Sequence, residues 1–351
     1  MKKYLILLLV IAFAVSIVVT GIGCKVEAVV EEAVEAVEEA AEEVMEEAEE
    51  AVEEVMEEAG GERIALINPF YSLGSYQIPF VDSAIATGKA MGAEVILFDA
   101  EMNGEKQFDQ AKQAIADGFD GIFIVPLDPA TGAKIVQICQ DAGVPLATST
   151  TDVDEASRDL LDVRVGISGQ TQGEAIAKYV ADVFKDDGPL KAVIITGTPD
   201  VEVSQARTAG FKIGVEGTNI EIVAEQSADF DKAKALAIME NFLVTMPEVT
   251  IVFGHDDQMA AGAVEAIEAA GKLDEIIVTG IGGNKEGLQM VADNKIFVSF
   301  IQEPHVEAAL AVDALLKIIR GEEVEFTKGN YIELPRTLIT KDNYTDYDPK
   351  W

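Results

Sequence analysis

Residues Thr250 to Ala263 read TIVFGHDDQMAAGA. Val249 to Phe253 form a short apolar run of the kind that fills a parallel strand buried on both faces. Gly254 permits a sharp exit, and His255, Asp256 and Asp257 follow at the strand's carboxyl end. An alanine-rich helical pattern begins at Met259. Ligands of open α/β sheets bind outside the carboxyl ends of the strands, so the two carboxylates read as ligand-facing. Asp257 also reads as a cap of the helix that follows.

Outward from this unit the same alternation repeats. Strands are expected at Arg63–Asn68, Glu94–Asp99, Gly121–Val125, Val144–Thr148 and Arg164–Ile167. A second set is expected at Lys191–Thr196, Ile220–Ala224, Val249–Phe253, Ile276–Gly280 and Phe297–Ile301. Helical patterns separate them, from 77–91 to 285–293, and a last one spans 305–320. Repeated βαβ units predict an α/β protein with parallel sheets, and two similar sets predict two doubly wound lobes. Ile332–Ile339 is one more extended run, so the chain crosses between lobes more than once. The expected division places 62–167 and 303–331 in an N-terminal lobe, and 168–302 and 332–351 in a C-terminal lobe.

The 351 residues carry a net charge of -37, unevenly spread. Residues 27–58 hold 16 Glu and no basic residue. Setting these and Lys2, Lys3 and Lys25 aside leaves 47 acidic against 23 basic residues, a net of -24 for the body. Such a surface repels phosphate backbones, which excludes nucleic acid as a partner.

Met1-Lys2-Lys3 followed by the apolar stretch Leu5 to Thr20 has the charged and hydrophobic regions of an export signal over residues 1–23. The small residues before Cys24 resemble a bacterial lipoprotein signal, whose cysteine is lipidated and becomes the mature N-terminus. Gly21 stands where such signals carry a large aliphatic residue, and an uncleaved membrane anchor is the alternative. Either way the body lies outside the cytoplasmic membrane. The other cysteine, Cys139, falls in a helical pattern and reads as a small core residue. Residues 24–61 form an acidic stalk. Val30, Val34, Val37, Ala41, Val44, Ala48, Ala51 and Val55 recur in heptad steps. The surrounding Glu pairs repel without compensating Lys, which leaves helix and disorder both open.

Several strand ends carry residues suited to a small polar solute. The loop Pro69 to Gln77 is dense in aromatics, and aromatic faces stack on sugar rings while amides and hydroxyls bond their rims. Tyr76 and Gln77, at the helix start, read as contacts; Phe70 and Phe80 read as packing. Asp128 and Asp231 read as helix caps, the first supported by Pro129 at the opening helical position. Thr150 and Thr151 lie on a hydroxyl-rich edge, Arg207 on a helix in the second half, Phe230 between two aspartates, and Gln302 just beyond the last strand.

These marks carry a resemblance. Ser227-Ala228-Asp229-Phe230-Asp231, Val252 to Ala260 and Gln205-Ala206-Arg207-Thr208-Ala209-Gly210-Phe211 resemble the type 1 periplasmic sugar-binding proteins, nearest to the ribose receptors of ABC transporters. The resemblance spans residues 62–340. It implies two lobes closing on solute like a hinged clamp. It places Tyr76 and Gln77 at two ring-stacking positions, Phe230 at the stacking aromatic of the second lobe and Arg207 at its hydroxyl-binding arginine. Asp256 stands at a hydroxyl-binding asparagine, and Gln302 at a hinge glutamine. Thr150 and Thr151 replace an Asp-Arg pair, Gly282 replaces a second aspartate and Val125 a pocket asparagine. Losing paired polar groups changes which hydroxyl pattern fits, so a different pentose, a hexose or a polyol is open beside ribose.

Other chemistry is not signalled. Gly280 to Gly287 lacks the third glycine of a dinucleotide fingerprint and is no P-loop, and loop flexibility or close approach to solute accounts for its glycines. His255 and His305 lack metal-ligand spacing, and no cofactor is expected. No nucleophile elbow or acid–base constellation is present, so the chain does not read as an enzyme. The resemblance implies an exported, lipid-anchored solute-binding protein that delivers a small sugar or polyol to an ABC permease. A surface sensor presenting its closed form to a signalling receptor is the alternative.

Overall fold

Strand β1 (Arg63–Asn68) is apolar along nearly its whole length because the sheet it belongs to is covered on both faces. The computed structural model describes residues 61–74 and 76–351, of which Glu62–Trp351 form one unit. The export signal, Cys24 and the acidic stalk up to Gly60 lie outside the described residues. Around β1 are built β2 (Glu94–Asp99), β3 (Gly121–Ile124), β4 (Leu146–Ser149) and β5 (Val163–Gly166). They alternate with α1 (Gln77–Ala90), α2 (Gly104–Ala116) and α3 (Pro129–Ala142). The chain then crosses to a second sheet made of β6 (Leu190–Thr196), β7 (Ile220–Ser227), β8 (Ile251–Gly254), β9 (Ile277–Gly282) and β10 (Val298–Ile301). Its helices are α4 (Gly169–Val183), α5 (Glu202–Val215), α6 (Lys232–Thr245), α7 (Asp257–Ala269) and α8 (Lys285–Ala292).

The two sheets repeat one order. The first runs β2-β1-β3-β4-β5, the second β7-β6-β8-β9-β10, with parallel pairing throughout these ten strands. Each gains one edge strand from the last part of the chain. After α9 (Pro304–Ile319), β11 (Tyr331–Glu333) pairs parallel to β5, and β12 (Leu338–Thr340) pairs antiparallel to β10. Helix α9 returns to the first lobe, where Ala308, Ala311, Val312, Leu315 and Leu316 share a core with Phe80, Val81 and Ala84 of α1.

The extended run expected over Ile332–Ile339 is therefore two strands in two sheets. Ile332 pairs with Val165 in the first sheet, and Ile339 with Ser299 in the second. Pro335 lies between them and supplies no ladder donor. The final crossing spans residues 334–337, so Ile332 and Glu333 pair in the first sheet rather than with the C-terminal lobe. Strand β4 also starts later than expected, because Val144 N is held by Cys139 O in the exit from α3. Cys139 itself is buried in the first lobe's core.

Candidate functional site

The carboxyl ends of both sheets face a cavity of about 140 Å³, close to the volume that takes one six-membered ring. All eight residues singled out from the sequence line it: Tyr76, Gln77, Thr150, Thr151, Arg207, Phe230, Asp256 and Gln302. Phe70, Leu73, Val201, Val203, Asp257, Gln258, Ile281, Asn284 and Trp351 are among the further lining residues. At its mouth the lobes meet: Val201 and Val203 of the second lobe share one apolar cluster with Phe70 and Tyr76 of the first.

On the first-lobe side the polar atoms are largely turned inward. The Tyr76 hydroxyl donates to Glu307 Oε2, and Ser149 Oγ and Thr150 N donate to Glu307 Oε1 at 2.6 and 2.7 Å. Burial raises both the Glu307 carboxyl and the Tyr76 phenol above their ordinary ranges. Gln77 Oε1 accepts from Asn68 Nδ2 at 2.8 Å, and Thr151 Oγ1 donates to the Pro126 carbonyl at 2.6 Å. Thr150 sits at φ 67°, a left-handed conformation strained for a β-branched residue. Glu307 grips its backbone N–H, and its own hydroxyl, buried, has no partner among the described residues. Glu307 was not singled out from the sequence. Its signal is there: a charge on the α9 face that otherwise buries Ala311 and Ala314.

The second lobe holds charge at the cavity. Arg207, buried on α5, donates through Nε to Gln172 Oε1 at 2.8 Å and through Nη1 to the His255 carbonyl at 2.5 Å. Burial pushes its pKa down to about 10, against the pull of Asp256, Tyr76, Glu202 and Asp257, so it stays protonated at neutral pH. His255 is a positioning residue. Its Nδ1 accepts from Gly197 N at 3.2 Å, which leaves the proton on Nε2, facing Thr208 Oγ1 at 3.2 Å. Burial and the neighbouring Arg207 keep the imidazole neutral, its pKa well below the ordinary value.

Both Asp256 and Asp257 line the cavity as the sequence suggests, but the cap expected of Asp257 falls to its neighbour. Asp256, not Asp257, caps α7, its Oδ1 accepting from Met259 N at 2.7 Å while it also lines the cavity. Asp257 is buried one residue further on, where its carboxylate accepts from Gly283 N at 2.6 Å and Ser299 Oγ at 2.7 Å. The glycines of 280–287 make room for this carboxylate rather than for solute: a Cβ at Gly282 would lie 2.7 Å, and one at Gly287 2.1 Å, from Asp257 Oδ2. Enclosure pushes the Asp256 carboxyl up to about 7 and Asp257 to about 6, with Arg207 opposing both shifts. The expected caps Asp128 and Asp231 are both observed.

Phe230 reaches the cavity through a backbone pair at φ 54° (Asp229) and 60° (Phe230). Its ring lies over Gly197, where a Cβ would stand 2.1 Å from Phe230 Cζ. Phe70, expected as packing, is both buried in the first-lobe core and part of the cavity wall; Phe80 is core alone. Trp351, missed from the sequence, reaches the cavity from the far end of the chain and meets Tyr76 edge-on at 5.4 Å.

The family model for the periplasmic binding protein domain matches residues 64–323. The ribose import binding protein of Bacillus subtilis is 33% identical over 253 residues, covering 72% of this chain and 79% of that protein. Among solved structures, an ABC transporter solute binding protein from Bacillus halodurans with bound myo-inositol aligns with a TM-score of 0.74 at 26% identity, over 82% of this chain and 96% of that one. A periplasmic solute binding protein from Actinobacillus succinogenes with bound D-allose aligns with a TM-score of 0.72 at 26% identity, over 82% and 100%.

Proposed function

The chain belongs to the periplasmic binding protein family, among its type 1 sugar-binding members, and from that premise we propose that it captures a small sugar or polyol between its lobes and delivers it to the permease of an ABC transporter. It is a solute-binding protein and not an enzyme. Such proteins work outside the cytoplasmic membrane. We read Cys24 as the lipidated residue that holds this one there, and the acidic segment as its stalk.

One observation supports the reading most: residues as far apart as Tyr76 and Gln302 converge on one cavity of ring size, with aromatics on both lobes and an arginine and an aspartate beside them. In this mechanism open lobes exchange solute, and binding shifts the population to the closed form. Tyr76 and Phe230 flank the ring of the solute. Arg207, Asp256, Thr150, the amide nitrogen of Gln77 and Gln302 bond its hydroxyls. Thr151, whose hydroxyl proton goes to Pro126, shapes the wall and accepts. The ligands of the relatives make ribose, D-allose and myo-inositol the first solutes to try.

The test is a thermal-shift and calorimetric screen of sugars and polyols against the purified protein. A solute that binds only the native state adds about 2.7 kcal/mol at a hundred times its Kd, so a true ligand raises Tm by several degrees. A shift confined to some other class of metabolite, with every sugar and polyol silent, would overturn the reading.

A further inference from the structure

Trp351 is the only tryptophan in the chain, and it is a wall of the cavity. The segment that carries it is fastened to the second lobe. Tyr344 and Tyr347 pack on that lobe's core, and the Trp351 carbonyl accepts from Lys285 N at 2.9 Å at the start of α8. Its indole N–H donates to the Gln302 carbonyl at 3.3 Å. From this anchorage the ring reaches the first lobe, meeting Tyr76 at an interplanar angle of 89°.

The hydrogen bonds of these two rings decide what they can offer a solute. Indole has one polar atom, a donor, and here it is committed to Gln302. The Tyr76 hydroxyl is likewise committed to Glu307. Both rings therefore turn carbon surface to the cavity. A solute edge lying against them gains from C–H contact, whereas a hydroxyl placed there loses its water and finds no partner.

We propose that Trp351 is a ligand-contacting residue that closes the cavity as a third aromatic wall, and that it selects a solute carrying a methyl or methylene at the edge it meets: a deoxy sugar or deoxy polyol. The inference rests on the sugar-or-polyol reading of the site. Thr150, Arg207, Asp256 and Gln302 then read the remaining hydroxyls. An apolar pocket rejects an added hydroxyl by about tenfold to a hundredfold, which sets the size of the expected preference.

Matched pairs test it: L-fucose against L-galactose, L-rhamnose against L-mannose, and deoxyribose against ribose, each titrated into the wild-type protein, Trp351→Ala and Trp351→Phe. Calorimetry gives the affinities, and the emission of the single tryptophan reports contact in the wild type. The deoxy member of at least one pair should bind about tenfold tighter than its partner and change the emission. Trp351→Ala should cut that preference to below about threefold, and Trp351→Phe should keep most of it. Should the alanine variant fail to fold, a phenylalanine variant that binds both members equally, or a wild-type emission unmoved by the bound deoxy member, would overturn the proposal. Hydroxylated members binding as tightly as their deoxy partners, or a preference that survives in Trp351→Ala, would overturn the proposal and leave the sugar reading standing. Silence of every pair and of every other sugar and polyol would remove both.

Discussion

Asp128 and Asp256 stand at the ends of matching strands, β3 in the first sheet and β8 in the second, and each caps the helix that follows. Asp128 spends both oxygens locally: Oδ1 accepts from Thr131 N at 2.8 Å and Oδ2 from Thr131 Oγ1 at 2.7 Å. Asp256 caps with Oδ1 alone, because the residue three positions on is Met259, which has no hydroxyl to give. One oxygen thus remains uncommitted beside Arg207. The same local device is closed in one lobe and left open in the other, and only the open one lines the cavity. The contrast extends further. Tyr76, Gln77 and Thr151 of the first lobe tie polar atoms back into the protein, while Arg207 and Asp256 of the second keep charge within reach of solute. The first lobe supplies shape, and the second supplies charge.

The largest break in this contrast should come from Arg207→Ala. It removes the buried cation and leaves Asp256 and Asp257 without a positive neighbour, and truncating a buried, hydrogen-bonded charge costs a few kcal/mol. Affinity for the solute found in the screen should fall by at least tenfold in calorimetry, whereas Asp128→Asn should change it by less than about twofold. Equal effects of the two variants would dissolve the division of labour between the lobes.

Next comes Gly197→Ala. The new methyl would collide with the Phe230 ring, and a displaced stacking aromatic forfeits roughly 0.5–1.5 kcal/mol. Affinity should drop about three- to tenfold with Tm nearly unchanged. Unaltered affinity would show that Phe230 is not a stacking wall.

The smallest expected effect concerns pH. The folded-state pKa of Asp256 is raised from 3.8 to about 7, so its stabilising, protonated form is fully present below the unfolded value and is lost as pH rises through the folded one. Asn caps as well as Asp and carries no charge. Asp256→Asn should therefore melt with the wild type near about pH 4 and a few degrees above it near about pH 8. A gap that stays constant between those limits would mean that the enclosed carboxylate is not the cause.

The strands and helices were legible because burial on both faces and helical amphipathicity each leave a periodic mark. Asp128, Asp231 and most of the cavity residues were legible because they follow strand ends, where sheet geometry fixes direction, whereas Arg207 lies within α5 and its role came from the family resemblance. What escaped depends on contacts distant in sequence or on a choice between neighbours. Whether Asp256 or Asp257 caps α7 turns on one residue of register. The carboxylate in the 280–287 glycine cluster comes from residue 257, so no local pattern names it. Glu307 meets Tyr76, Ser149 and Thr150 only after α9 has returned to the first lobe. Trp351 meets Tyr76 across nearly the whole chain. Pro335, a breaker inside the 332–339 run, is a local signal that the run is two strands, and it went unread.

That late return of α9 and β11 also bears on the order in which the molecule is made. A ribosome releases residues from the amino end, so β1 to β5 emerge early. The helix that covers one face of their sheet, and the strand that closes its edge, emerge only after the ten helices and strands from α4 to β10. Until then Phe80, Val81 and Ala84 lack the α9 side chains that bury them. The first lobe is begun first and sealed late, so a growing chain stays unfinished in both halves until residues 304–340 are translated.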